Sequence, residues 1–465
     1  MKAGRAVLGA ASIAVALGTT CTPAFADEAS LQKQIQELND RIRQLEGRTA
    51  PAAAPATREA PSAGAPGSLV IAGSMPGSFV IPGTATSLKI GGYARLDIIK
   101  DTNGGAGGSI MIPQLVPLDG SAGATRKGFF NMNARQSRFY IRTQTPTAIG
   151  DVVTHLEGDF YGAGGNEVAS NSSAFRLRHA YIETGSWLAG QTWWNSCDLA
   201  SLSETLDFSG GAGGLNCGRA SQLRYTWRWA GADSKYAQQL SLAAENPESD
   251  INGAAPTVFV AASGATNAIV IDKAPDVSLR YVFATDWGRM SFAGIYRHLT
   301  FNNNGSAAVN GFTGESSKDS GIFVAQGRIK TFGDDSVQYG VSLGNGAGRY
   351  ILNSIGQTAG VINNGALQLI NQQGYVVGYQ HFWSPAWRSN FIYGWIHSDY
   401  PHPALPVTTY NKIGAGYINL IWSPVPNSLV GIEWNRTDVK NQAEPGVVSN
   451  KGHNNRIEAS FQYGF

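Results

Sequence analysis

From Leu88 onward apolar and polar residues alternate with a period of two, in sixteen segments that start near residues 88, 129, 152, 175, 187, 222, 238, 277, 289, 321, 336, 374, 387, 412, 428 and 456. A period of two places successive side chains on opposite faces of a strand. The last segment shows it most cleanly: Ile457, Ala459, Phe461, Tyr463 and Phe465 share one face, and Arg456, Glu458, Ser460 and Gln462 the other. Gap lengths also alternate. Gaps after odd-numbered segments are long (101–127, 246–276, 351–372), whereas those after even-numbered ones are tight, as at Thr184-Gly185-Ser186, Thr285-Asp286-Trp287-Gly288 and Trp383-Ser384-Pro385-Ala386. An even number of up-and-down strands, with long loops at one end and short turns at the other, predicts an all-β fold: a sixteen-stranded antiparallel transmembrane β-barrel over residues 87–465.

Alternation by itself also fits a soluble sandwich, which hides its apolar face inside, whereas a membrane barrel turns that face outward. The alternating gaps, the terminal aromatic and the leader described next select the barrel. Tryptophans fall near strand ends, where an interfacial girdle needs them: Trp187, Trp229, Trp287, Trp383, Trp387, Trp395, Trp422 and Trp434.

Residues 1–26 read as a secretory signal peptide: Lys2 and Arg5, an apolar run from Ala6 to Gly18, then Ala24-Phe25-Ala26 before Asp27. Thr20 disfavours a lipoprotein reading through Cys21. Over residues 27–48, Leu31, Ile35, Leu38, Ile42 and Leu45 step by four, three, four and three, the seam of a coiled coil. Ile at a and Leu at d suit a dimer, but Arg41 at g and Glu46 at e match a short trimeric pattern, and a trimer is expected. A Pro/Ala/Gly-rich linker over 49–86 detaches this helix from the barrel and ends in a ten-residue repeat, Pro66-Gly67-Ser68-Leu69-Val70-Ile71 and Pro76-Gly77-Ser78-Phe79-Val80-Ile81. With both barrel ends in the periplasm, the coiled coil is expected there too.

Composition narrows the class without changing it. No stretch beyond the leader is apolar for long enough to span a membrane as a helix, and 57 Gly, 10% aromatic and 15% charged residues suit short strands and turns. A net charge of +2 argues against a nucleic-acid partner. Seven histidines show no metal-ligand spacing and no nucleophile elbow is present, so neither an enzyme, a metal nor a cofactor is expected.

If the apolar phase faces lipid, the opposite phase carries Lys89, Arg95, Arg138, Arg142, Arg176, Arg178, Arg224, Arg228, Arg280, Arg297, Arg328 and Arg388 into the lumen. Guanidinium groups hold carboxylate or phosphate in a bidentate fork, so rows of them favour anions. Asp97, Glu157, Asp159, Glu183 and Glu433 are available to balance them as an ordinary solvated face. The third long gap is expected to fold inward and narrow the pore. It holds Cys197, Asp198, Glu204, Asp207, a Gly-rich stretch over 210–214, Cys217 and Arg219. Its two cysteines are the only ones in the mature chain, and an oxidising periplasm predicts a Cys197–Cys217 disulfide.

Three stretches resemble the DcaP-like outer-membrane porins: Ile81-Pro82-Gly83-Thr84-Ala85-Thr86-Ser87-Leu88-Lys89-Ile90-Gly91-Gly92-Tyr93, Asn133-Ala134-Arg135-Gln136-Ser137-Arg138-Phe139, and Gly190-Gln191-Thr192-Trp193 leading to Glu204-Thr205-Leu206-Asp207-Phe208. The resemblance implies a homotrimeric sixteen-stranded channel with a periplasmic coiled coil, embedded in outer-membrane lipid and lipopolysaccharide, that takes up small anionic solutes such as dicarboxylates. It also adds Arg135, with Arg138, to the candidate pore arginines. The cysteine pair lies outside the matched stretches. Two other functions compete with selective uptake: a nonspecific porin, and a structural tether acting through the coiled coil.

Overall fold

A computed structural model describes residues 70–465, apart from 104–107, 163, 211–215, 230–236, 253–268, 303–313, 352–358, 364–365, 401–409 and 442–448. The predicted signal peptide, coiled coil with its trimer seam, and most of the linker lie outside the described residues.

Sixteen antiparallel strands form the wall: β1 (Ser87–Asn103), β2 (Phe130–Asn133 continuing as Arg138–Thr147), β3 (Gly150–Gly162), β4 (Ala174–Thr184), β5 (Trp187–Trp193), β6 (Arg219–Arg228), β7 (Ala237–Glu245), β8 (Asp276–Thr285), β9 (Gly288–Asn302), β10 (Glu315–Lys330), β11 (Ser336–Asn345), β12 (Asn371–Ser384), β13 (Trp387–Asp399), β14 (Tyr410–Trp422), β15 (Ser428–Asn441) and β16 (Lys451–Gly464). Each pairs with its sequence neighbour, and β16 closes on β1 with Tyr93 opposite Gly464 and Leu96 opposite Phe461. Phe465 completes the seam, its N–H donating to the Gly92 carbonyl at 3.0 Å. Closure pairs every strand of the wall with a neighbour on both sides, as hydrocarbon requires. All sixteen expected segments are present. The largest displacement is at β10, which starts six residues before the expected position near 321; Glu315 to Ser320 are polar on both faces, so periodicity could not reveal them.

The short connections are as tight as the gaps implied. Gly185, at φ +55°, turns the β4–β5 hairpin in a conformation that costs a residue with a Cβ about 1 kcal/mol or more. Before β1, Phe79 and Val80 pair back on Leu88 and Ser87, so the end of the lead-in is a small hairpin at the turn end of the barrel.

Outward positions are apolar and exposed, among them Ile90, Leu156, Leu223, Phe323, Val377, Ile432 and Phe461. The interior is not filled by polar groups alone. Three long loops fold inward, L1 after β1, L3 after β5 and L6 after β11. Their Met111, Val116, Trp194, Tyr350 and Ile351 pack on Ile295, Ile322 and Val439 of the wall as a buried core. Each such side chain contributes about 1.5–3 kcal/mol by leaving water, enough together to hold the loops inside.

Candidate functional site

L3 leaves β5 at Trp194 and follows the inner wall from β7 round to β1. The Asn195 amide donates to Glu245 on β7 at 2.6 Å, and Arg280 on β8 donates to the Cys197 carbonyl at 2.7 Å. Asp198 pairs with Arg289 on β9 at 2.8 Å, while its N–H reaches Gln326 on β10. Farther along, Arg328 donates to the Leu202 carbonyl. Arg388 on β13 grips Glu204 through two contacts of 2.6 Å, and Asn419 on β14 donates to the Glu204 carbonyl. Glu433 on β15 accepts the Leu206 and Asp207 amides at 2.9 and 3.1 Å, Asp207 pairs with Arg456 on β16 at 3.0 Å, and Arg95 on β1 donates to the Leu206 carbonyl. The Cys197–Cys217 disulfide ties the two ends of the loop together.

This path divides the arginine-rich phase in two. Arg95, Arg280, Arg289, Arg328, Arg388 and Arg456 hold L3 to the wall, so they anchor the loop instead of facing an open path. Arg95 is almost wholly buried between Asp97 at 2.7 Å and Glu458 at 3.8 Å. Arg297 is 0% exposed and belongs to a different anchor: it binds Asp250, Asp276 and the Gly346 and Ala347 carbonyls, fixing L6. Arg95, Arg280 and Arg297 were expected in the pore because strand phase separates inward from outward, whereas access to solvent depends on which loop fills the space in front. Asp198 and Asp207 are likewise buried anchors of L3, and Glu204, though at the cavity, has its charge matched by Arg388.

The remaining arginines lie on the side that L3 leaves open. A β-bulge between Glu157 and Gly158 of β3 inserts an extra residue in β4, so that Arg178 and His179 are both buried side by side. Arg178 bonds Glu157 at 2.7 Å and Asp159 at 2.8 Å; Arg176 holds both oxygens of Asp159 at 2.7 and 2.9 Å, and Arg138 reaches Glu157 at 3.4 Å. Aromatic faces space these cations. Arg135 and Arg176 lie over Tyr161, Arg176 and Arg178 over Phe208, and Arg178 and Arg219 over Trp193, each 5.0–5.7 Å from the ring centroid. Arg142, Arg224 and Arg228 continue the inward phase of β2 and β6 toward the turn end.

A cavity of about 590 Å³ lies between this ladder and the inner loops. Arg138, Arg176, Arg178 and Arg219 line one part, L3 supplies Trp194, Glu204 and Phe208, and L1 supplies Ile110 to Gln114. Arg349 of L6 reaches the same cavity, held by Asp276 at 3.0 Å and lying over the Trp194 and Tyr350 rings. Burial pushes the Tyr350 phenol well above its ordinary value, with Glu245 and Asp276 adding to the shift, so it stays protonated and its one O–H is shared between Asp276 at 2.9 Å and Glu245 at 3.2 Å. Among the described residues no cluster of His, Cys, Asp and Glu is arranged to hold a metal.

Sequence reasoning located L3, its cysteine pair and the arginines of β2, β4 and β6. It missed the contributions of L1 and L6. Arg349 sits in Gly346-Ala347-Gly348-Arg349-Tyr350, and its only signal was a Gly-rich tight bend carrying a large aromatic inside a long gap.

The DcaP outer membrane protein family matches residues 78–444. Among solved structures, the outer membrane channel DcaP of Acinetobacter baumannii is similar, with 19% identity, a TM-score of 0.68, and coverage of 85% of this chain and 100% of that one. The anion-selective porin from Comamonas acidovorans aligns at 9% identity over 82% of this chain and 100% of that chain, with a TM-score of 0.49. OmpT of Vibrio cholerae aligns at 12% identity over 83% and 100%, with a TM-score of 0.48. No curated protein matches the sequence. With its sixteen-stranded closed wall and inward loops, and a family match that covers most of its length, this chain belongs to the DcaP family of bacterial outer-membrane channel proteins.

Proposed function

We propose that the barrel is a passive channel for small anions, with carboxylates, dicarboxylates among them, as its preferred solutes. The carrying observation is the charge balance of the cavity. Arg138, Arg176, Arg178, Arg219 and Arg349 border it, whereas its two acidic residues, Glu204 and Asp207, are engaged by Arg388 and Arg456. Glu157 and Asp159 partly neutralise the ladder and keep it from holding a solute too tightly, since conduction needs binding weak enough to release. In a planar bilayer under a KCl gradient the reversal potential should report anion selectivity, and succinate should interrupt single-channel current at lower concentration than acetate. Clear cation selectivity would refute the reading; anion selectivity without block by any carboxylate would favour a nonspecific porin.

We further propose a homotrimer, with the coiled coil of residues 27–48 as its periplasmic assembly device. Tryptophan and tyrosine ring the outer surface near the turns from β5 to β16, through Trp187, Trp227, Trp287, Trp383, Trp422 and Tyr463. The outward positions of β1 to β4 hold only Leu, Ile, Val, Met, Phe, Ala, Gly, Thr and Lys among the described residues. A wall whose outward positions lack Trp and Tyr is suited to contact with a second copy rather than lipid headgroups. Light scattering of the detergent-solubilised full chain should give three copies, and deleting residues 27–48 should weaken the trimer without changing unit conductance. Unchanged trimers with a weakened cell envelope would favour the tether.

A further inference from the structure

The strand registers place three lysines in one row on the outside of the barrel. Lys412 of β14 lies directly opposite Lys440 of β15, and Lys440 directly opposite Lys451 of β16. All three are in the outward phase, since Ile413, Val439 and Gly452 beside them are buried inside. His397 of β13 extends the row as the partner of Lys412. At about 4.8 Å between strands, three ammonium groups are rooted within about 10 Å of one another. Like charges directly opposite each other on a sheet are destabilising. The neighbouring carboxylates contact other side chains and none is within ion-pair distance of a lysine of the row: Asp438 meets Arg436 at 2.8 Å, Asp399 meets His397 at 2.7 Å and Asp119 meets His453 at 3.1 Å. None of the three lysines has an ion-pair partner among the described residues.

The height of the row identifies what it meets. Lys412 and Trp422 stand ten residues apart on β14, with exposed Ile418 and Leu420 between them. Ten residues of strand at about 3.4 Å each, tilted by about 40°, climb about 26 Å, the height of the apolar band of an outer-membrane barrel. With Trp422 in the girdle beside the turns, Lys412 stands at the headgroup level of the outer leaflet.

We propose that Lys412, Lys440 and Lys451 form a binding site for the phosphate groups of a phosphorylated outer-leaflet glycolipid. A multiply charged phosphate anion bridging the row converts mutual repulsion into three favourable contacts, and the apolar band below accepts the acyl chains. The inference rests on the outer-membrane placement and not on which solute the lumen passes.

The test uses the full-length protein in detergent with three probes: bisphosphorylated lipid A, the same glycolipid with its phosphates removed, and inorganic phosphate. Retention of lipid is read by native mass spectrometry. The unsubstituted protein should retain lipid A and not the dephosphorylated form. Each lysine contributes about five-fold in affinity at a phosphate-bearing surface, so Lys412→Gln, Lys440→Gln and Lys451→Gln together should weaken retention about a hundred-fold. Lys330→Gln, at the turn end of β10, should leave it unchanged. Heat-modifiable migration confirms that each variant is folded, and unaltered bilayer conductance separates loss of this site from failure of the channel reading. Equal retention by the triple variant, or equal retention of the dephosphorylated glycolipid, overturns the proposal. Displacement of lipid A by millimolar inorganic phosphate would assign the row to free phosphate and overturn the lipid as its occupant.

Discussion

Replacing Arg388 with methionine tests whether charge at the cavity, rather than its mere width, selects the solute. Arg388 holds both carboxylate oxygens of Glu204 at 2.6 Å, and Glu204 borders the cavity. Methionine keeps much of the side-chain volume but leaves Glu204 as an unmatched negative charge beside the path. For an anion passing about 6 Å away, the added repulsion is about 0.7 kcal/mol in a water-like medium and about 3 kcal/mol at an effective dielectric constant of 20. The Glu204 side chain is 30% exposed, so solvent screening favours the lower part of that range. About 1 kcal/mol corresponds to a roughly five-fold fall in anion permeability relative to cations, measured from the reversal potential under a salt gradient. Arg388→Met also removes a tether of L3, and the double variant Glu204→Gln/Arg388→Met separates the two effects, because it loses the tether while restoring neutrality. Charge control predicts that selectivity returns to the original value in the double variant. An unchanged ratio in the single variant, or no recovery in the double, would refute the reasoning.

Other outcomes follow from the anchors. Arg456→Met strands Asp101 and Asp207, both 0% exposed in their side chains, and should destabilise the barrel by about 3–5 kcal/mol, lowering the temperature at which heat-modifiable migration is lost. Gly348 has φ +50° and a Cβ there would overlap a carboxylate oxygen of Asp250, so Gly348→Ala should displace the tip of L6 and change single-channel current without preventing assembly. In the β10–β11 turn, hydrogen bonds from Tyr379, then His381, then the Phe382 amide hold the Asp335 carboxyl down at about 2. A depressed folded-state value contributes stability that is complete above about pH 4 and lost as the pH falls through 2. Asp335→Asn should therefore lower thermal stability at pH 7, and the difference from the unsubstituted protein should vanish in strong acid.

The sequence by itself determined the strand count, the order of loops and turns, the closing role of the terminal strand and the inward loop with its cysteine pair. These depend on local quantities: a period of two set by the pleat, gap lengths, and residue types tolerated in hydrocarbon. Where β10 and β16 rise above the apolar band, alternation ceases and their starts were placed late. The sequence also showed which arginines point inward, but not which meet solvent. Arg95, Arg280 and Arg297 share phase and residue type with Arg138, Arg176 and Arg178, and differ only in what lies in front of them. That difference comes from residues far away along the chain: Leu206 and Cys197 of L3 and Gly346 of L6 cover the first set, whereas β2 and β4 face the space L3 leaves free. Arg349 reaches the cavity because Asp276, Glu245 and the Trp194 ring, from two strands and another loop, fix the bend that carries it. A phase rule describes one strand at a time, and only the tertiary structure decided how the inner surface is shared between holding the loops and meeting the solute, because that sharing depends on contacts between residues tens to hundreds of positions apart.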